Sequence, residues 1–265
     1  MQLEAPARQG MTVSIVIHRS DPQQLDATLA TLLRAAAQAA LRLRIKLVDN
    51  ADGPLPAMLP PGLQLHHGHG NVGFGAGHNR TLDGSDGELH LILNPDVELA
   101  AEALVEALAF LDRHPDCGLL VPWVVNANGT PEFLCKRYPT VLDLLLRGFA
   151  PDWLRCRFAR RLGQYELRDQ AADAVLWDPP IVSGCFMLFR TEVLKALGGF
   201  DPRYFLYFED FDLSLRLAAV TRLVQVPAVR IVHLGGHAAR KGLRHVGLFL
   251  RAAALFFHRH GWRWW

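Results

Sequence analysis

Two acidic groups, far apart along the chain, carry the chemistry this sequence implies. The triplet Asn94-Pro95-Asp96 directly follows the apolar run Leu89-His90-Leu91-Ile92-Leu93. A carboxylate at the end of a buried strand can hold a divalent cation. Downstream, Phe208-Glu209-Asp210-Phe211-Asp212 leads into a helical pattern, Asp212-Leu213-Ser214-Leu215-Arg216-Leu217. The aromatics Phe200, Tyr204, Phe205, Tyr207, Phe208 and Phe211 crowd these acids. Apolar surroundings raise carboxylate pKa values and suit such groups to act as bases. A cation site and a base site together suit transfer of a group from a diphosphate-bearing donor. Each group also has a plainer reading: Asp96 as the cap of a helix beginning near Leu99, and the second group as an acidic first helical turn.

Further polar residues fall at places where ligands gather. Gly70-Asn71-Val72-Gly73-Phe74-Gly75-Ala76-Gly77-His78-Asn79 is neither GxGxxG nor a Walker loop. Glycines let backbone approach a ligand, and they equally serve a tight strand-to-helix connection. Asp49-Asn50 ends a strand-like run and has the ordinary turn-capping alternative. His233 closes Val229-Arg230-Ile231-Val232, which suits an oxygen-and-imidazole site for Mn²⁺ or Mg²⁺. Arg240 and Lys241 offer charge to a diphosphate.

The elements needed to position these residues are legible for the first hundred residues. Thr12 to Ile17 reads as a buried strand. Asp21-Pro22 reads as an N-cap followed by proline at the first helical position. Leu25, Leu29, Leu32, Leu33 and Ala36 then recur on one helical face. Strands follow at Ile45–Asn50, Leu63–Leu65 and Leu89–Leu93, and a helix runs through Leu104, Leu108 and Leu111. This alternation predicts an α/β fold with a mostly parallel central sheet, in which ligands collect at the carboxyl ends of strands. Asn128-Gly129 marks a turn between strands at 121–125 and 132–135. Residues 136 to 178 show no clean period and are expected to form loops and short helices. Ile181 to Phe189 returns to strand character.

Half of the 265 residues are hydrophobic and a fifth charged, as in a globular protein with a substantial core. The four cysteines form no CxxC pair and read as reduced thiols of a cytoplasmic protein. The first ten residues lack a signal-peptide core, and no apolar run approaches the ~20 residues of a spanning helix. Nine Lys or Arg and no acid follow Asp212, whereas the chain up to that point has 26 acids against 19 bases. So one-sided a block implies an anionic partner: phosphate, nucleic acid or an anionic bilayer. Base-stacking and helix-turn-helix signatures of a nucleic-acid binder are missing. On a helical wheel Val246, Phe249, Leu250, Ala253, Phe256 and Phe257 share one face, with Arg244, Arg251, His258 and Arg259 on the other. Trp262, Trp264 and Trp265 follow. This end of the chain reads either as a helix docked on the catalytic domain or as an amphipathic membrane element; both can hold together.

In their order these motifs resemble the family 2 glycosyltransferases, inverting enzymes of the GT-A fold, and among them the rhamnosyltransferase-like branch that builds bacterial surface glycans. The resemblance runs from about residue 11 to 260. Its parts are Val13–Ile17, Val48-Asp49-Asn50, Asn71 through Asn79, Asn94-Pro95-Asp96, Ser183-Gly184-Cys185-Phe186-Met187-Leu188, Gly199-Phe200-Asp201, Tyr207 through Arg216, and His233. It implies that Asp49 contacts the donor nucleobase and that Asn71, Gly73 and Asn79 line the nucleotide pocket. Asp96 would bind the metal, with Asn94 in place of the first acid of a DxD motif. His233, Arg240 and Lys241 would lie near metal or diphosphate. Asp210 would be the general base with Glu209 beside it, and Ser183, Gly184 and Asp212 would border the acceptor. One departure is His18-Arg19-Ser20-Asp21, where the family carries a Tyr-Asn or similar nucleotide contact.

The resemblance further implies a single GT-A domain over residues 11–240, its nucleotide-sugar half about 11–100 and its acceptor half about 101–240. A flexible tail at 1–10 precedes it and a basic aromatic helix and tail at 241–265 follow. The expected reaction moves a sugar, best rhamnose from dTDP-rhamnose, onto a glycan or polyprenyl-diphosphate-linked acceptor. The cofactor would be Mn²⁺ or Mg²⁺, and the location the cytoplasm, peripheral to the inner membrane face if the tail meets lipid. A nucleotidyltransferase and a non-catalytic nucleotide-sugar or membrane-binding module are the alternatives. The first would carry a glycine-rich basic loop after the first strand, where this chain has His18 to Gln24.

Overall fold

The computed structural model describes residues 10–51, 59–170, 173–235 and 242–265. Strand β1 (Met11–Ile17) is buried at all seven positions and lies between β2 (Leu43–Asp49) and β4 (Leu89–Leu93), parallel to both. Its β-branched residues, flanked by strands on either side, account for the unbroken apolar run. Helix α1 (Pro22–Gln38) connects β1 to β2, capped as the sequence predicts: Asp21 Oδ1 accepts the Gln23 N–H at 2.9 Å. Leu25, Leu29, Leu32 and Ala36 are buried, but Leu33 points outward and is 41% exposed. At about 100° per residue it falls off the buried stripe, which Thr28 and Ala35 complete instead. Strand β3 (Gln64–His66) pairs with β2, and α2 (Phe74–Asn79) packs on β1.

After β4 the chain departs from a simple β-α-β alternation. A short β5 (Val97–Leu99) follows at once, so Asp96 is not a helix cap, and α3 (Ala103–Arg113) starts four residues beyond that strand. Strand β6 (Cys117–Asn126) turns through Asn128-Gly129 into β7 (Pro131–Glu132) as an antiparallel hairpin. Strand β8 (Cys135–Lys136) leaves that sheet. The aperiodic stretch folds as α4 (Val141–Phe149), α5 (Asp152–Arg157), α6 (Ala159–Tyr165) and β9 (Leu176–Trp177). The run 181–189 is two strands: β10 (Ile181–Val182), paired with β8, and β11 (Phe186–Arg190), broken at Ser183-Gly184. Helix α7 (Thr191–Ala196) and then α8 (Glu209–Leu217) follow, the latter beginning three residues before Asp212. Strand β12 (Arg222–His233) and α9 (Leu243–His260) complete the described elements.

The main sheet runs β3-β2-β1-β4-β11-β6-β12-β5, with β7 on β6 and β9 on β12. It is parallel from β3 to β4. Strand β11 enters antiparallel to both β4 and β6, so the second half is mixed. The largest apolar cluster fills the side covered by α1 and α3. A second lies under α7 and α8. A third joins Phe208 and Phe211 to Ala252, Ala253, Phe256 and Phe257, docking α9 onto the start of α8. The charge imbalance of the sequence partly cancels here. Arg259 pairs with Asp201 and Asp212, His260 with Asp212, and Arg222 with Asp116 and Asp178.

Candidate functional site

Asp96 sits in a turn that three elements hold. Thr28 Oγ1 of α1 donates to the Pro95 carbonyl at 2.9 Å and accepts the Val97 N–H at 3.2 Å. The antiparallel register of β5 and β12 sets His233 opposite Val97, next to Asp96. His233 Nε2 lies 3.5 Å from Asp96 Oδ1, and its Nδ1 lies 2.8 Å from Glu132 Oε2. Burial disfavours charge on this imidazole, but Asp96 and Glu132 overcome it and raise its pKa to about 9. Glu132 escaped sequence reading because no local pattern marks it; the Asn128-Gly129 hairpin alone brings it in.

The residues fit a divalent cation. Asn94 Oδ1 and Asp96 Oδ1 are buried oxygens with no hydrogen-bond partner, a costly state unless something binds them. A Cβ at Gly235 would meet Asp96 Oδ2 at 2.3 Å and His233 Nε2 at 2.8 Å, so only glycine leaves this cradle open. Hard carboxylate and amide oxygens beside an imidazole suit Mn²⁺ or Mg²⁺. Glu132 on Nδ1 would orient the ring in the manner of an outer-shell partner.

The base site forms where α8 starts against the break between β10 and β11. Asp210 Oδ2 accepts from Ser183 Oγ at 3.0 Å and from the Gly184 N–H at 3.1 Å, while Oδ1 accepts the Phe211 N–H at 2.9 Å. Val182 N–H donates to Ser214 Oγ at 3.1 Å, fastening the helix to the strand. Burial raises the pKa of Asp210, against the pull of Lys136 and its own hydrogen bonds. Glu209 is pushed well above the ordinary range by burial and by Asp210, and its Oε2 has no partner. The two carboxyls titrate as a pair, and of the two only Asp210 has donors, Ser183 Oγ and the Gly184 and Phe211 N–H groups, that favour its charged form.

Tyr207 and Phe208, just before the pair, both have left-handed backbone, φ 72° and 64°. Two such non-glycine residues in succession store strain, of order 1–3 kcal/mol each, that surrounding contacts must hold. Here α9 supplies them. Tyr207 Oη is 3.1 Å from His245 Nδ1, and the Phe208 ring lies 5.3 Å from those of Phe249 and Phe256.

A cavity of about 870 Å³ opens beside this pair. Ser183, Glu209 and Asp210 line it, together with Lys136, Arg147, Tyr165 and Arg168 from the aperiodic segment. Sequence reading missed these four because that segment carries no periodic signal. Asp212 does not face the cavity. It is fully buried, with Oδ2 on Arg216 Nε at 2.8 Å and Oδ1 on His260 Nε2 at 2.8 Å, so it clasps α9 rather than bordering an acceptor.

The nucleotide-side residues meet at the carboxyl edge of β1 and β2. Asp49 is buried there and accepts the Ala51 N–H, and Asn71 Nδ2 lies 3.4 Å from His18 Nδ1. His18, noted in the sequence as a departure, thus faces the same edge. Gly73 and Asn79 have visible packing work. Any Cβ at Gly73 would strike the Phe205 carbonyl at 2.3 Å, and the Asn79 amide is engaged at both ends by the Phe200 backbone. Arg240 and Lys241 lie outside the described residues.

The fold recurs in solved glycosyltransferases. GalNAc-T7 with UDP, GalNAc and Mn²⁺ superposes at a TM-score of 0.63 and 16% identity, over 88% of this chain and 44% of that one. TarS 1–349 of S. aureus with UDP-GlcNAc does so at 0.52 and 15%, over 94% and 66%. In sequence the chain is 28% identical over 243 residues to the N-acetylglucosaminyl-diphospho-decaprenol L-rhamnosyltransferase of Mycobacterium tuberculosis, covering 83% of this chain and 76% of that protein. It is 25% identical over 181 residues to rhamnosyltransferase WbbL of Escherichia coli, 63% of each. The pattern described as glycosyltransferase like family 2 matches residues 57–241. With a GT-A architecture and a family match over well more than half its length, the chain belongs to the family 2 glycosyltransferases.

Proposed function

We propose that this protein transfers rhamnose, with inversion, from a nucleoside-diphosphate donor such as dTDP-rhamnose to a hydroxyl of a polyprenyl-diphosphate-linked N-acetylglucosamine. The observation that carries the reading is Asp210: a half-buried carboxylate, oriented by Ser183 and Gly184, open to a large cavity. The names of the two rhamnosyltransferase relatives support the sugar, and that of the Mycobacterium tuberculosis protein supports the lipid-linked acceptor.

Asp49, Asn71 and His18 would receive the nucleoside, and Asn94, Asp96 and His233 would hold Mn²⁺ or Mg²⁺. A bound cation would neutralise charge on the departing diphosphate. Asp210 takes the proton from the acceptor hydroxyl as that oxygen attacks the anomeric carbon from the face opposite the leaving group. Burial and the neighbouring Asp210 both disfavour a second negative charge on Glu209. We assign residues 11–240 to the catalytic domain, donor half about 11–100 and acceptor half about 101–240, with 241–265 closing over the start of α8.

No helix among the described residues is long and apolar enough to cross a membrane. A lipid-linked acceptor is met at a bilayer surface, and Phe149, Trp153, Leu250, Trp264 and Trp265 are apolar side chains left 49–86% exposed. Arg155, Arg244 and Arg251 neighbour them in sequence, an arrangement suited to an anionic interface.

A panel of nucleotide sugars, scored for Mn²⁺-dependent thermal stabilisation and hydrolysis, tests the donor assignment. A response to dTDP-rhamnose above the others is the expected result. Stabilisation by no nucleotide sugar would refute it.

A further inference from the structure

Nothing described so far accounts for the wall of the cavity that faces Asp210. Lys136 is 2% exposed, yet its ammonium has long hydrogen bonds, 3.4 and 3.3 Å, to the carbonyls of Phe133 and Leu134 and otherwise sits 5.9 Å from the centre of the Phe211 ring. Tyr165 is 3% exposed and its hydroxyl has no partner. Buried donors left so poorly satisfied are costly, and both line the cavity. Above them Arg147 and Arg168 share one carboxylate, Glu166, at 3.0 and 2.6 Å. Two guanidinium groups on one acid leave a surplus positive charge, and about half of each arginine side chain remains exposed.

Arg155, Tyr207 and His245 also line the cavity, and most of what remains is apolar. Leu144 and Phe149 of α4 face Val246 and Phe249 of α9 across the opening. Phe149 is itself half exposed, so the cavity mouth merges with the exposed apolar surface of α4 and α5. One cavity therefore offers a base, a cluster of anion donors and a greasy exit. A ligand filling it would be an anion with an apolar tail. The donor's own diphosphate belongs elsewhere: none of Asn94, Asp96 and His233 lines this cavity.

We propose that Lys136, Arg147, Tyr165 and Arg168 form a binding site for the diphosphate of the acceptor, with Phe149, Val246 and Phe249 receiving the first part of its lipid chain. The inference rests on the reading of the protein as a transferase for lipid-linked acceptors, and adds the residues that select the diphosphate. Lys and Arg donors recognise such groups by charge-assisted hydrogen bonds, which are the strong ones.

The test uses the full chain and two acceptors carrying the same N-acetylglucosamine, one a citronellyl diphosphate and one a neutral octyl glycoside. The wild type is expected to favour the diphosphate in KM by about tenfold or more, the equivalent of one good interaction. R147Q/R168Q and Y165F should each shrink that preference through KM, with kcat changed far less. R147K/R168K, which keeps the charge, should retain most of it. Y165F removes a hydroxyl that has no partner, so its result does not hinge on refolding. Titration with dTDP-rhamnose and Mn²⁺ verifies an intact donor site in every variant. A preference unchanged in R147Q/R168Q and Y165F, or absent from the wild type, overturns the site and leaves sugar transfer standing. Donor hydrolysis without transfer to either acceptor overturns the site and the acceptor reading together.

Discussion

The main-chain N–H of Asn94 donates to the carbonyl of Cys185 at 2.9 Å. This bond joins the two chemical ends of the site. Asn94 leads to Asp96 on one side, and Cys185 follows Ser183 and Gly184, which orient Asp210, on the other. The antiparallel entry of β11 beside β4 makes the junction, with Phe186 opposite Leu93. The turn carrying Asp96 and the Ser183-Gly184 break that holds Asp210 are thereby fixed to adjacent strands of one sheet.

Replacing Asp210 by Asn keeps the shape of the side chain and removes its basicity. Transfer should fall by roughly two to four decades, the usual range for a general base, while donor affinity with Mn²⁺ stays near wild type. Glu209→Gln should be far milder, because the donors that orient a carboxylate here, Ser183 and the Gly184 and Phe211 N–H groups, hold Asp210 and not Glu209. Single-turnover rates distinguish the two. Near-wild-type transfer by the Asp210 variant would dismiss the assignment.

Asp96→Asn should abolish Mn²⁺-dependent donor binding at a modest cost in stability, since its Oδ1 accepts no hydrogen bond and what it loses is the 3.5 Å ion pair with His233. Glu132→Gln tests the support behind His233. It should weaken metal affinity by about 10–100-fold, the usual cost of losing an outer-shell partner. Calorimetric titration with Mn²⁺ and donor reads both; unchanged affinity in Asp96→Asn would remove this residue from the site.

How much of this was readable beforehand follows from the range of each interaction. The cap at Asp21, the strands through Leu93 and the carboxylates at 96 and 210 are local or periodic features, and the sequence displays them. Glu132 beside His233 and Lys136 beside Asp210 depend on strand pairing and on a segment without period, so no window of sequence reveals them. Asp212 shows the converse. The resemblance puts it beside the acceptor, but its partners Arg259 and His260, more than forty residues away, pair with it instead. The loop glycines have packing work that no window displays: Gly73 and Gly77 admit the Phe205 carbonyl and the Val16 side chain.

Two buried histidines predict acid sensitivity. Burial lowers His78 and His90 to about 3, below the ordinary 6.5. Between those values the unfolded chain binds protons that the folded protein does not, so stability falls as pH drops from about 6.5 toward 3, by ~1.4 kcal/mol per pH unit per histidine. Glu209 acts with the opposite sign. Its raised pKa means that the folded protein holds a proton the unfolded chain has lost, so its contribution is full below the ordinary carboxylate pKa and fades as pH rises through the folded value. Urea titrations across pH should show an acid-side loss of stability in the wild type, and a flatter alkaline side in Glu209→Gln. A profile flat from pH 4 to 7 would contradict the neutral, buried state of the histidines.

The chain's final residues bear on both stability and membrane contact, and the two need separate variants. Val141 and Leu142 donate their N–H groups to the carbonyls of Arg263 and Trp264 at 2.8 and 3.1 Å, so the tail satisfies the first turn of α4. Trp262 also stacks on Phe257 at 5.1 Å. Deleting residues 261–265 should therefore lower the melting temperature whatever the tail does with lipid, and a loss of liposome binding on deletion would be ambiguous. Side chains that carry no such load give the cleaner test. Trp153 and Trp265 are 71% and 86% exposed. The double variant Trp153→Ser, Trp265→Ser should keep the wild-type melting temperature and lose much of its partitioning to anionic vesicles. Partitioning of the wild type should itself weaken with salt, as charge screening requires. Equal partitioning of wild type and double variant would leave this face an ordinary surface and place the meeting with the lipid-linked acceptor elsewhere on the molecule.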